Sequence, residues 1–295
     1  MKLPLRSPFV ARLMILAAAF LFSTGGVAVK SCGLSSWQIA SFRCLVAAAT
    51  LLIVLPSVRR RPSWPVLAVG TSYAGMMICY VLANKATTAA NAIFLQATAP
   101  LYVLLLAPFL LGERGRLRDL AVMVGLATGL ALLFLDAPTV SASAPDPFRG
   151  NVLGALTGLF WAATVMGLRF LGRRGGTGDE GALAVVWGNV VAGLVTLPTA
   201  LPVVSGQPGD YLWVAYLGVF QIAGAYLFLT AAMGSVPALD ASLLLLVEPV
   251  MNPVWTFLFL DETPGRWTLV GAALILAMTV LQSYWDAPRR DRPPP

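Results

Sequence analysis

The chain has 295 residues, 58% of them hydrophobic and only 11% charged, with a mean hydropathy of +0.80; soluble domains carry about 25% charged residues, so a soluble core is excluded. Its formal charge of +7 does not mark a nucleic-acid binder, because the basic residues stand in short loops between apolar runs rather than on one amphipathic face. Histidine is absent, which removes the commonest general base and metal ligand, and Cys32, Cys44 and Cys79 lack metal-binding spacing and read as small buried apolar residues.

In chain order, the segment MKLPLRSPFVARLMILAAAFLFSTGG resembles a signal peptide. Its apolar run is long enough to span a bilayer and equally long runs follow, so it reads as an uncleaved first span over 9–30. Further runs are expected at 36–56, 64–84, 90–111, 117–135, 149–170, 181–201, 211–232, 239–260 and 266–285. About 20 apolar residues rise about 30 Å as a helix, the thickness of the hydrocarbon core, and lipid tolerates no unpaired backbone, so these runs are read as helices. RRRPSWP, GERGR and GRRGGTGDEG supply the turn chemistry between them. The last residues, APRRDRPPP, read as a short basic tail without fixed structure.

The cations divide unevenly. Lys2, Arg6, Arg12, Arg59, Arg60, Arg61, Arg114, Arg116, Arg118, Arg169, Arg173, Arg174, Arg289, Arg290 and Arg292 fall on one side, whereas Lys30, Lys85, Arg149 and Arg266 fall on the other. The positive-inside rule then places both termini in the cytoplasm. Arg43 lies within the second run, where it either snorkels outward or pairs with a carboxylate or substrate; a structural role is favoured.

The runs also repeat. NAIFLQATAPLYVLLLAPFLLGE (91–113) aligns with DASLLLLVEPVMNPVWTFLFLDE (240–262) at an offset of 149, so that Asn91 meets Asp240, Pro100 meets Pro249 and Glu113 meets Glu262. At an offset of 139, Lys30 meets Arg169 and Phe22 meets Trp161. Five helices per half is odd, so the second half enters the membrane from the opposite face. The expected fold is therefore all-α and integral to the membrane: ten transmembrane helices in two inverted-topology repeats, 1–138 and 139–295.

Polar groups inside the runs are costly in lipid and mark cavities or internal partners. Glu248 is either a structural group satisfying carbonyls freed by Pro249 and Pro253, or a ligand for a substrate amine or a proton. Asn252, Trp255 and Phe259 share its helical face. Tyr73, Met77, Tyr80 and Asn84 form a second stripe, with Tyr73 and Asn84 also readable as an interfacial belt. Ser23, Thr24 and Phe20, Gln96 and Tyr102, Trp161 and Thr164, and Tyr226 complete the candidate cavity; Pro100, Pro249 and Pro253 are candidate hinges. Gly125 with Gly129 and Gly154 with Gly158 are small-residue pairs suited to close helix contact. Glu113 and Glu262 end their runs beside Arg114 and Arg266 and read as interfacial ion pairs.

With FSTGGVAVK ending the first run, FRCLVAAATLL in the second, the LLGER ending of the fourth, and LLLVEPVMNPVWTFLFLDETPGRWTLVGAALILAMTV, the chain resembles the EamA family of the drug/metabolite transporter superfamily. The likeness covers nearly the whole chain; the proline-rich loop 136–149 and DET in place of GER are departures. It implies two inverted five-helix halves around a central cavity and export of small metabolites, with amino-acid exporters of the YddG type as the nearest branch and exporters of purines, sugars, quaternary amines or other drugs as the alternative. No G-x-S-x-G elbow, P-loop or metal cluster is present in the sequence, so neither an enzyme nor internal ATP drive is expected, and no cofactor or metal. A channel is less suited to an inverted repeat. The expected partners are a small-molecule substrate and the lipid bilayer of a bacterial-type inner membrane, with no nucleic acid, and the chain is taken as monomeric.

Overall fold

Long apolar runs with closed internal hydrogen bonding dictate helices, and the computed structural model consists of them. It describes residues 8–110, 117–135, 141–173, 180–204, 206–232, 236 and 244–290. Numbering spans in chain order, span 1 is Pro8–Ser23 with Gly25–Ser31, span 2 Ser36–Val54, span 3 Trp64–Ala86, span 4 Ala89–Gln96 with Ala99–Leu110, and span 5 Leu117–Leu135. Span 6 is Pro147–Arg173, span 7 Glu180–Ala200, span 8 Pro208–Tyr216 continued by a π-helical stretch Leu217–Gly224 and by Ala225–Ala232, span 9 Val247–Leu260, and span 10 Arg266–Arg290. All but span 9 are long and apolar enough among the described residues to cross a membrane. The only β-pairing among the described residues is the isolated bridge between Ser141 and Ala144. Span 10 runs on to Arg290, so helix replaces the start of the tail expected from 287.

Helix pairing shows the repeat directly. Span 3 lies against span 6, and its counterpart span 8 lies against span 1. Span 4 lies against span 6 as span 9 lies against span 1, and span 3 meets span 7 as span 8 meets span 2. The pairs 2–7 and 5–10 are each their own counterpart. Both run antiparallel: in the first, Gln38 donates to Ala200 O and Ser41 to Gly193 O; in the second, Gly125 faces Met278 and Gly129 faces Ile275 and Gly271 O. These relations require a two-fold axis in the membrane plane, which is the inverted architecture of secondary transporters.

Glycines set the closest crossings. Gly125 and Gly129 admit span 10 to span 5, and Gly154 and Gly158 admit Leu95 of span 4 to span 6. A close backbone-to-backbone crossing is Gly70 of span 3 on Gly188 of span 7, where a Cβ on Gly188 would lie 2.7 Å from Gly70 O. Outward faces carry Phe257, Leu258, Phe259, Leu269 and Val270, all exposed, as a lipid-facing surface requires. Phe259 therefore does not share the inward orientation of Glu248; Thr256, buried, turns inward in its place.

At one end of the bundle, polar side chains tie the spans together. Asn151, fully buried, accepts from Thr87 Oγ1 (2.8 Å) and Asn91 Nδ2 (3.1 Å) and donates to Leu133 O (3.2 Å). Thr268 Oγ1 donates to Asn91 Oδ1 at 2.8 Å. This joins spans 4, 5, 6 and 10 and the turn before span 4. Replacing Asn151 with Leu is expected to strand three buried groups and cost about 1–2 kcal/mol, read as a lower midpoint of heat-induced unfolding in detergent.

Candidate functional site: a central cavity between the repeats

The site arises where helices are interrupted. Span 4 breaks at Ala97 and Thr98, and span 9 breaks at Leu246; these positions correspond under the 149-residue offset. In each case the next helix begins with a proline in its first turn, Pro100 in Ala99–Leu110 and Pro249 in Val247–Leu260. A first-turn proline forfeits no intrahelical bond. Pro100 and Pro249 therefore start helix segments after a break rather than kinking continuous ones, while Pro253 lies inside its helix. Span 1 breaks at Thr24 in similar fashion. Hydroxyls take up the freed carbonyls: Ser23 Oγ donates to Phe20 O (2.7 Å), Thr24 Oγ1 to Leu21 O (2.7 Å) and Thr98 Oγ1 to Leu95 O (2.6 Å).

Between these breaks lies a cavity of about 240 Å³. Of the residues expected from the sequence, Tyr80, Gln96, Trp161, Tyr226 and Glu248 line it, together with Pro100 and Pro249. Phe22, Tyr73, Met76 and Met77 add to an aromatic and thioether wall. Tyr226 meets Phe22 and Tyr73 edge-on, with centroids at 5.3 and 5.8 Å, so the rings brace one another.

Ser23, Thr24, Asn252 and Trp255 stand beside the cavity rather than on it. Ser23 Oγ accepts from Trp255 Nε1 at 2.9 Å, Thr24 shares a hydrogen bond with Tyr216 at 2.8 Å, and Asn252 Nδ2 donates to Tyr80 Oη at 3.4 Å. Along span 1 the chain passes from Phe22 on the cavity to Gly26 and Lys30; along span 9 it passes from Glu248 to Asn252 and Glu262. Ser23, Thr24, Asn252 and Trp255 thus form a layer that roofs the cavity toward the Lys30 end. Gly26 lets span 9 approach there, since a Cβ would meet the Asn252 amide and displace it. Tyr102 faces Gly158 of span 6, Thr164 Oγ1 is spent on Phe160 O of its own helix (2.8 Å), and Phe20 stacks edge-on against Trp255, half exposed.

The wall residues outside the expected set include Gln221 and Arg43. Gln221, on the π-helical stretch of span 8, reaches the cavity with its Oε1 unpartnered among the described residues and its Nε2 donating to Phe22 O (3.4 Å). Its signal in the sequence is a lone amide in GVFQIAGAY. Arg43 also borders the cavity, only 1% exposed. It neither snorkels outward nor pairs with a carboxylate among the described residues. Its Nη2 donates to Met77 O at 3.0 Å, its guanidinium lies 5.5 Å from the Tyr80 ring centroid, and its Nε has no partner among the described residues. Glu248 sits in the first turn of Val247–Leu260, where the positive helix terminus favours a carboxylate; no hydrogen bond or ion pair to it is found among the described residues. Tyr73 and Asn84 are buried within protein, which removes the belt reading.

Glu262 is likewise not an interfacial partner of Arg266. Its side chain is 3% exposed and pairs with Lys30 Nζ at 3.1 Å, while its other oxygen accepts the Ala89 amide. Burial pushes this carboxyl up, and the Lys30 ammonium and the amide pull it back. Glu113, its counterpart in the repeat alignment, and Asp240, the counterpart of Asn91, lie outside the described residues.

Comparison with known proteins places these features in context. A model of the EamA-like transporter family matches the chain twice, over residues 10–135 and 148–284. The chain is 24% identical over 288 residues to human solute carrier family 35 member G1, covering 90% of this chain and 76% of that protein. It is 27% identical to an uncharacterized transporter of Archaeoglobus fulgidus, covering 89% and 92%, and 28% identical to the pseudopaline exporter CntI of Pseudomonas aeruginosa, covering 92% and 95%. A crystal structure of a protein 24% identical in sequence superposes with a TM-score of 0.63 over 97% of this chain and all of that one, sharing the fold.

Proposed function

Because the chain belongs to the EamA-like transporter family, we propose that it is a secondary transporter that exports small amphipathic metabolites, amino acids first among them, by alternating access across a bacterial-type inner membrane. The two halves, 1–138 and 139–295, enclose the cavity, and both termini lie in the cytoplasm. Export as the direction is supported by the relative that bears the name of an exporter.

The observation that carries the substrate class is the charge pattern of the wall. Glu248 and Arg43 both border the cavity, and neither has an opposite charge beside it among the described residues. A lone charge in a low-dielectric site is costly. A zwitterion brings both counter-charges at once: its amine to Glu248, its carboxylate toward Arg43. Tyr80, Trp161, Tyr226 and Phe22 offer faces and edges to an apolar side chain, and Gln96 and Gln221 offer amides. The breaks at Pro100 and Pro249 are where spans 4 and 9 flex as the halves rock.

The test is counterflow in liposomes reconstituted with the full chain. Labelled aromatic and aliphatic amino acids are expected to accumulate against an internal load of the same compound, and their decarboxylated amines and deaminated acids are expected to exchange at least about tenfold more slowly, since each forfeits one charged contact. Preferential exchange of nucleobases, sugars or quaternary amines would replace the amino-acid reading with one of those classes.

A further inference from the structure

The chemistry at the end of the bundle beyond the roof is unlike the rest of the molecule. Lys30 stands in the last turn of span 1 and Glu262 two residues past the end of span 9, with side chains 6% and 3% exposed. Besides its 3.1 Å ion pair, Lys30 Nζ donates to Thr87 O at 2.9 Å, in the turn after span 3, and to Ser143 O at 2.6 Å, in the loop joining the two halves. Glu262 accepts the Ala89 amide at the start of span 4. Two charges thus hold together spans 1, 3, 4 and 9 and the connection between the repeats. Adjacent to them, Lys85 Nζ donates to Cys32 O at 2.6 Å, and Asp210 accepts the amides of Gly33 and Gln207, which adds span 8 to the same cluster.

These are the spans whose breaks, roof residues and rings enclose the cavity. A path from the cavity to this face has to part span 1 from span 9 and both from the span 3–4 turn, and each parting breaks a bond to Lys30 or Glu262. We infer that the Lys30–Glu262 pair is an electrostatic latch that holds this face of the transporter closed and must separate and hydrate for the cavity to open there.

The inference rests on the alternating-access reading but is tested without measuring transport. A buried pair has a distinctive energetic signature: removing one partner leaves an uncompensated charge that water relieves, whereas removing both leaves none. A latch therefore predicts that the single variants Lys30→Gln and Glu262→Gln open this face, and that the double variant K30Q/E262Q closes it again. Cys32 is a native reporter, two residues past Lys30 and 1% exposed. Its alkylation by a membrane-impermeant maleimide, added to the side of reconstituted vesicles on which Lys30 lies, is followed by mass spectrometry of its own peptide.

The expected result is a labelling rate roughly tenfold or more above wild type in each single variant, because breaking a buried pair costs more than the 1.4 kcal/mol that a factor of ten represents. The double variant is expected to fall back to within about threefold of wild type, a non-additivity that the loss of two uncoupled groups does not produce. Unfolding midpoints measured in parallel keep labelling below the transition of each variant. Labelling at the wild-type rate in both single variants, or a double variant labelled as fast as the product of the two singles, would overturn the latch while leaving the transporter reading intact.

Discussion

Replacing Glu248 with Gln is expected to lower amino-acid counterflow by roughly 10–100-fold, with membrane insertion and the unfolding midpoint close to wild type. The size follows from one charge-assisted contact to the substrate amine, about 1.5–3 kcal/mol. The retention of stability follows from the surroundings of Glu248: it borders the cavity and pairs with no described group, so a neutral amide of the same shape leaves no protein partner behind. A carboxylate that instead held the helix break together would show the opposite profile, with the midpoint falling and residual transport per folded molecule unchanged. Measuring both quantities on the same preparation separates the two. A further consequence concerns selectivity. In the Gln variant the penalty is expected to fall on amine-bearing substrates and to spare their deaminated analogues, because only the former lose an ionic contact.

Substituting Gly188 by Ala is the second large effect. A Cβ there would lie 2.7 Å from the Gly70 carbonyl oxygen and 2.7 Å from the Tyr73 ring. The first obstacle is backbone, so no rotamer change relieves it, and spans 3 and 7 must separate. Overpacking of this kind costs about 1–3 kcal/mol, and in a chain of this size each kcal/mol lowers the midpoint by about 2–4 °C. A drop of several degrees in heat-induced unfolding in detergent is therefore expected. Gly209 is the internal control, since a Cβ at that position meets nothing within 4 Å; Gly209→Ala is expected to leave the midpoint unchanged. Separation of spans 3 and 7 also displaces Tyr73, which carries Tyr226 on the cavity wall, so Gly188→Ala is expected to weaken transport even in the folded fraction. Equal midpoints for the two alanine variants would show that the Gly70–Gly188 crossing can relax.

The sequence by itself determined the class and the frame of this protein. Lipid forbids unpaired backbone, so ten apolar runs of about 20 residues had one solution, and the described boundaries fall within a few residues of the hydropathy breaks except at the end of span 10, which runs on to Arg290; the expected start of the ninth run at 239 lies outside the described residues. The odd number of helices per half and the recurrence of Pro100 at Pro249 carried the inversion, because topology follows from counting. Tyr80, Trp161, Tyr226, Gln96 and Glu248 were legible as wall residues for a related reason: an amide, a carboxylate or a large amphipathic ring deep in a lipid-length run is costly against lipid and favours an inward position.

Only the tertiary structure decided which inward-facing group meets empty space and which meets another helix. Ser23, Thr24, Asn252 and Trp255 carry the same sequence signal as the wall residues, yet they pair with one another and with Tyr80 and Tyr216 to roof the cavity. Helical periodicity fixes the direction of a side chain on its own helix but not the identity of what it faces across the bundle. The same limit explains Glu262. Its neighbour in the chain is Arg266, but its partner is Lys30, 232 residues away, brought to 3.1 Å by the parallel packing of spans 1 and 9. Gln221 and Arg43 reach the wall through a π-helical turn and a contact to the Tyr80 ring, and neither is encoded in spacing. Burial drives helices into the membrane one at a time; partners are assigned only when the helices meet.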